Sequence, residues 1–380
     1  MRKQSAYCFG NSLVPQGRGR SPQTIYGIVD TGYIKETGRD VRMGENVNNR
    51  IGFRGQEDLG NGLKATFELE KRFDLYDGTL GNTNQPTFRN GGGATGADWD
   101  GAANVGLASK NWGRVRFGRV NELTTETIRK FDPFYQYGVG SMIMSSQRSA
   151  RVSNTARYDS PSWAGFSFGA LYSLGQNTKV DAAATSVVGR DADNDGYGIN
   201  LSYNNGPWMA TGNWSRTADS NDSYVWNLGV AYKFFGQARL SLTYEHTQDK
   251  GYRNGAGNQY GNQNITGTQG ITVGVNPWKS EQQNWLLGLE WDIGPGQLDA
   301  SVQYARLKDV KDWSGQWKAD GGTRDTYKYS LGYTYNLSKR TSVYGMVSYT
   351  DYDDEAAGWY YTGLTRESMT AFQLGITHKF

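Results

Sequence analysis

The sequence predicts an all-β protein: a 16-stranded antiparallel transmembrane β-barrel with short turns at one end and long loops at the other. Three observations predict it. Apolar residues alternate with small or polar ones over segments of about ten residues. A tight turn and a long polar loop follow these segments in alternation. The chain is also rich in strand and turn formers, with 51 Gly, 25 Tyr, 14 Phe and 12 Trp in 380 residues.

The last segment shows the period most plainly. Phe372, Leu374, Ile376, His378 and Phe380 fall on one face, and Ala371, Gln373, Gly375, Thr377 and Lys379 on the other. One face suits hydrocarbon and the other water, and the strand stops on an aromatic. Leu63, Ala65, Phe67 and Leu69 repeat the pattern, as do Tyr224 to Phe234, Ala238 to Tyr244, Trp285 to Ile293 and Tyr327 to Tyr335. Aromatics at strand ends with aliphatics between them match two interfacial girdles around an apolar band.

In chain order the tight turns are Asp58–Gly62, Lys110–Gly113, Ser160–Gly165, Asn204–Pro207, Phe234–Gln237, Gly294–Gly296 and Asn336–Arg340. Each holds the Gly, Asn or Pro that a short hairpin needs. Long loops fall at 36–47, 73–102, 120–151, 175–194, 217–223, 248–282, 309–325 and 352–367. The seven turns pair strands 2 to 15, and the two terminal strands complete sixteen. Short turns face the periplasm and long loops the exterior in such a barrel.

Composition narrows the function. No run of about 18 apolar residues exists, so no transmembrane helix is expected. Forty basic and 37 acidic residues give a net charge of +3, which makes no case for nucleic acid. Cys8 is the only cysteine, so neither an intrachain disulfide nor a thiolate metal site is expected. The only histidines are His246 and His378, a poor basis for a zinc site or a Ser-His-Asp triad. No enzyme activity, cofactor or metal is expected. Residues 1–21 open with Arg2 and Lys3 but show no apolar core of an export signal. They are read as an atypical segment outside the fold, and 22–380 as a single barrel of the outer membrane.

Tyr26-Gly27-Ile28-Val29-Asp30, the block Asn49 to Ala65, Phe117-Gly118-Arg119, Arg157 to Pro161 and the terminal Phe380 resemble the general diffusion porins of β-proteobacteria and Neisseria. The likeness runs from Gln23 to Phe380. It implies a homotrimer of 16-stranded barrels, each with its third loop folded into the pore. It further implies a water-filled channel for ions and small hydrophilic solutes, and a terminal Phe380 read by the barrel-assembly machinery. Outer-membrane lipid and lipopolysaccharide are the implied surroundings. The chain departs from the family at Ala102–Leu107, where many relatives carry an arginine, and its second loop, with Asn82, Asn84, Asn90 to Gly93 and Trp99, is long.

Charges at the narrowest point set a pore's selectivity. Parity places Arg50, Arg54, Arg116 and Arg157 on the lumen face, and Arg151 where the third loop rejoins the wall. Lys64 and Arg114 are further candidates. Strict parity points Arg119 outward, and only a bulge turns it in. The third loop holds Glu122, Glu126 and Asp132, with Asp159 just beyond it; Glu122 and Asp132 are the acids expected to face the arginines. The expectation is weak anion selectivity. The alternatives are an adhesion or binding barrel and a barrel hydrolase, whose only base would be His246. Asp191–Gly196 imitates half an EF-hand but has Ser202 where the bidentate Glu belongs, so it is read as an acidic loop. Asp351, Asp353, Asp354 and Glu355 are read as a solvated acidic tip.

Overall fold

The computed structural model describes residues 23–80, 99–143, 151–174, 196–216, 224–249, 280–308, 323–352 and 367–380. The expectations for 1–21, Asn82 to Gly93, Asp191 to Asp195 and Asp353 to Glu355 lie outside the described residues.

The wall strands are β1 (Gln23–Glu36), β3 (Arg50–Gly60), β4 (Leu63–Arg72), β5 (Ala103–Ser109), β6 (Gly113–Asn121), β7 (Arg151–Asp159), β8 (Phe166–Ser173) and β9 (Gly196–Asn205). The other half runs β10 (Trp208–Arg216), β11 (Tyr224–Phe234), β12 (Ala238–Asp249), β13 (Ser280–Ile293), β14 (Gly296–Lys308), β15 (Arg324–Asn336), β16 (Thr341–Tyr352) and β17 (Ser368–Lys379). Each pairs antiparallel with its sequence neighbour, and β1 pairs with β17 to close the ring. The structure adds a short strand, β2 (Arg42–Gly44), which pairs with β1 where the sequence suggested only loop. All seven tight turns fall where expected.

Alternation becomes two surfaces. Leu240, Leu242, Val230, Leu287 and Leu374 are exposed on the outside, and Leu289 is partly so. Burying such side chains against lipid replaces a packed core as the apolar term. Toward one end of the outer face a belt of rings crosses seven strands. Tyr197 meets Trp214 (centroids 5.5 Å apart), and Trp214 pairs in register with Trp226. Trp226, Tyr244, Trp285, Tyr304 and Tyr327 then follow one another at 5.0–5.1 Å.

Opposite them, inward residues form polar ladders, such as Asn213, Asn227, Glu245 and Asn284 bonded strand to strand. At the closing seam Phe380 and Gly27 exchange two backbone hydrogen bonds of 3.1 Å. Beside it, Asp30 accepts from the Asn46 amide (2.7 Å), the Tyr344 hydroxyl (2.8 Å) and the Thr377 hydroxyl, which ties the first loop to the wall.

The third loop lies inside the ring. It begins with helix α1 (Leu123–Ile128) and one turn of 3-10 helix (Arg129–Phe131). It then runs round the inner wall. Its main-chain groups bond side chains of β17 (Val139 amide to Gln373, 3.0 Å), β14 (Ile143 amide to Gln303, 2.6 Å) and β15 (Ser141 carbonyl from Lys328, 2.7 Å). Inward glycines make room for it: a Cβ on Gly229 would lie 2.9 Å from the Phe131 ring, and one on Gly288 2.7 Å from Pro133.

Candidate functional site

The arginines of β3–β7 project into the ring from the wall that the helix and turn leave uncovered. Arg50 begins β3, and its cross-strand partner on β4 is Arg72. Both approach Glu70: Arg72 at 2.7 Å, Arg50 at 3.9 Å. Arg151, opening β7, reaches the same carboxylate at 3.8 Å. The loop presents Tyr137, whose hydroxyl lies 3.4 Å from the Arg50 guanidinium, and Arg129, which bonds Gln136 at 3.2 Å. Three guanidiniums thus gather round one carboxylate, and Arg119 and Arg129 add their charges to the field at Arg151. A guanidinium cannot lose its proton in this setting, so the patch is permanently basic.

A second group lies along β6 and β7. Arg116 and Arg157 are cross-strand partners. Asp159 takes Arg116 at 2.5 Å and Arg157 at 2.6 Å. Glu126 of α1 pairs with Arg157. Desolvation alone would raise the Glu126 carboxyl, but the Arg157 charge prevails and holds it below the usual range. Arg114 lies beside them, 3.5 Å from the Thr66 hydroxyl.

The remaining candidates fall elsewhere on the same face. Arg54 stacks over Tyr26, 4.9 Å from the ring centroid, and that phenol donates to Glu68 and Glu70. Lys64 lies on β4 six residues before Glu70, about 20 Å along the strand, close to the turn between β3 and β4. It is therefore far from the arginine cluster. Arg119 is turned in by a bulge: the register shifts between Gly118 and Val120, with Gly118 at φ 121°. Its guanidinium bonds the Asp100 carbonyl (3.2 and 3.1 Å) and the Ser153 hydroxyl (2.9 Å).

Two acidic assignments need correction. Glu122 does not face the arginines. It caps α1, accepting from the Thr125 amide (2.9 Å) and Thr124, and takes the Ser215 hydroxyl at 2.6 Å. Asp132 is fully buried and accepts the amides of Phe134 (3.0 Å), Gln136 (2.7 Å) and Met142 (3.0 Å). Helix-capping and turn-forming acids spend their oxygens on local backbone. The acids that meet the arginines are Glu70, Glu126 and Asp159. Sequence reading also passed over Arg72, although it shares parity with Glu68 and Glu70. Arg129 and Tyr137 gave no signal, since a loop has no period from which to place them.

Among the described residues no group of His, Cys, Asp and Glu is arranged to hold a metal ion. No helix there is long and apolar enough to cross a membrane, which says nothing against crossing by strands.

Residues 21–355 match the model of the Gram-negative porin family. An outer membrane porin of Bordetella pertussis is 31% identical over 394 aligned positions, covering 94% of each chain. Outer membrane porin protein 32 of Delftia acidovorans is 28% identical, covering 95% of each. Among solved structures, an anion-selective porin from Comamonas acidovorans superposes with a TM-score of 0.70 at 25% identity, over 95% of this chain and 100% of that one. Among the described residues, a ring of sixteen strands has apolar side chains outside, polar ladders inside and a loop lying across its interior, the layout of a channel wall. With that architecture and a family match over most of its length, the chain belongs to the Gram-negative porins, outer-membrane channels for passive diffusion of ions and small hydrophilic solutes.

Proposed function

We propose that the channel is weakly anion-selective and that its narrow point lies between the arginines of β3–β7 and the third loop. The observation that supports this reading is the gathering of Arg50, Arg72 and Arg151 around the single carboxylate of Glu70, with Arg119 and Arg129 adding to the field at Arg151. Arg116 and Arg157 extend the basic wall but are balanced by Asp159 and Glu126. Arg54, Arg114 and Lys64 lie along the same face and set the charge of the approach. At about 0.15 M salt the screening length is roughly 8 Å, so a constriction of that width still feels each fixed charge. The similarity to an anion-selective porin supports the same sign.

The channel is further proposed to work as a homotrimer in a lipopolysaccharide-bearing leaflet, inserted by the barrel-assembly machinery. A Vibrio cholerae outer membrane protein of the same fold has been solved in a trimer form. Reversal potentials across planar bilayers in a salt gradient test selectivity. The wild type is expected to favour anions, and Arg50→Ser with Arg151→Ser to move toward cations. An unchanged potential in the double variant removes these residues from the narrow point.

A further inference from the structure

We propose that Tyr137 is a selectivity-determining residue: its phenol, presented by the third loop to the arginine cluster, sets a pH-dependent part of the charge that passing anions meet. This rests on the anion-selective reading above and adds to it a residue that the wall arginines do not include.

The geometry is built to hold the phenol in place. Tyr137 stands between residues whose backbone is fixed on both sides. On one side the Gln136 amide is held by Asp132 at 2.7 Å. On the other the Val139 amide is held by Gln373 at 3.0 Å. The turn needs left-handed backbone at Tyr135 (φ 51°), Gln136 (φ 64°) and Gly138 (φ 63°). Such conformations persist where the surroundings over-determine them. Gly138 admits no side chain, since a Cβ would lie 2.4 Å from Asn46 and 2.6 Å from the Met346 sulfur. A tight, anchored turn therefore aims one phenol at Arg50, at 3.4 Å.

The charged groups that face it come from three elements. They are Arg50 on β3, Arg72 on β4 and Arg129 on the loop itself. Glu70 is shared by Arg50 and Arg72, and the Tyr26 phenol lies in the field at Arg50. Burial by itself would raise the Tyr137 phenol, but the three guanidiniums more than offset this and bring it down to about 7. The proton it loses goes to water in the lumen. Ionisation leaves a negative oxygen among the arginines, and the local charge falls by one. Anion preference is then greatest below about pH 7 and declines above it.

Other groups titrate in the same range, including Glu45 of the first loop, which burial raises to about 7. A comparison with Tyr137→Phe cancels them, because that variant removes only the ionisable oxygen. Reversal potentials in a KCl gradient are measured from pH 5.5 to 9 for the wild type and for Tyr137→Phe. Heat-modifiable oligomer on gels shows that both have folded. The two proteins are expected to agree at pH 5.5, where neither carries a charge at this position. They are expected to separate as pH rises, with the phenylalanine variant keeping its anion preference. Parallel curves across the whole range overturn the role of Tyr137 while leaving the arginine reading intact. A wild type with no anion preference at pH 5.5 overturns the arginine reading itself. If Tyr137→Phe fails to fold, Tyr137→Glu supplies the sign test. The guanidiniums keep its carboxylate ionised at pH 5.5, so its anion preference there should fall below that of the wild type, and equality there refutes the assignment.

Discussion

Arg116 and Arg157 sit directly opposite each other on β6 and β7 and divide one carboxylate, Asp159, each taking a different oxygen. Two like charges on paired strands repel unless an acid lies between them. Asp159 is that acid, and Glu126 draws the second guanidinium toward the third loop. The wall and the loop are therefore electrostatically one unit at this point.

Asp159→Asn is expected to do two things. It leaves the arginines with one fewer negative charge, so the reversal potential should move toward stronger anion preference. It also weakens two charge-assisted hydrogen bonds, for a loss of roughly 1.5–3 kcal/mol. Chemical unfolding in detergent and a salt-gradient measurement read the two effects separately. A potential that does not move shows that Asp159 is remote from the ion path.

Gly288→Val is expected to dislodge the third loop. The new side chain must occupy the space of the Pro133 ring, 2.7 Å from where its Cβ would sit. Overpacking of this kind costs about 1–3 kcal/mol. The wall strand is held by hydrogen bonds on both sides, so the loop is the part that yields, inward toward the pore. Single-channel conductance should fall while oligomer stability changes little. Conductance equal to the wild type would mean that the loop rests on this wall without narrowing the pore.

Removing Phe380 is expected to impair assembly. Its amide and carbonyl form the two 3.1 Å bonds to Gly27 that end the closing seam. Its ring fills the space over Gly27, where a Cβ would lie 2.2 Å from the ring edge. The shortened chain should reach normal levels of synthesis and low levels of heat-modifiable oligomer in the outer membrane. Wild-type oligomer levels would count against a role in assembly.

The sequence alone determined the wall. A period of two is a property of each segment by itself, so it survives without knowledge of neighbours. It therefore named the strands, the turns, the lipid face from Val230 to Leu374, and the inward set of Arg50, Arg54, Arg116 and Arg157. Only the tertiary structure decided what those arginines meet. Glu126 reaches Arg157 because α1 folds inward, and Tyr137 reaches Arg50 because a left-handed turn carries the loop across the ring. Arg119 joins the cluster because one glycine at φ 121° breaks the alternation that would have sent it to lipid. Glu122 and Asp132 were misplaced for the same reason: an acid in a loop has no period, and the nearest unpaired amides claim it first. Electrostatic partners are set by distances through space, and spacing along the chain carries no record of them once the backbone leaves the strand.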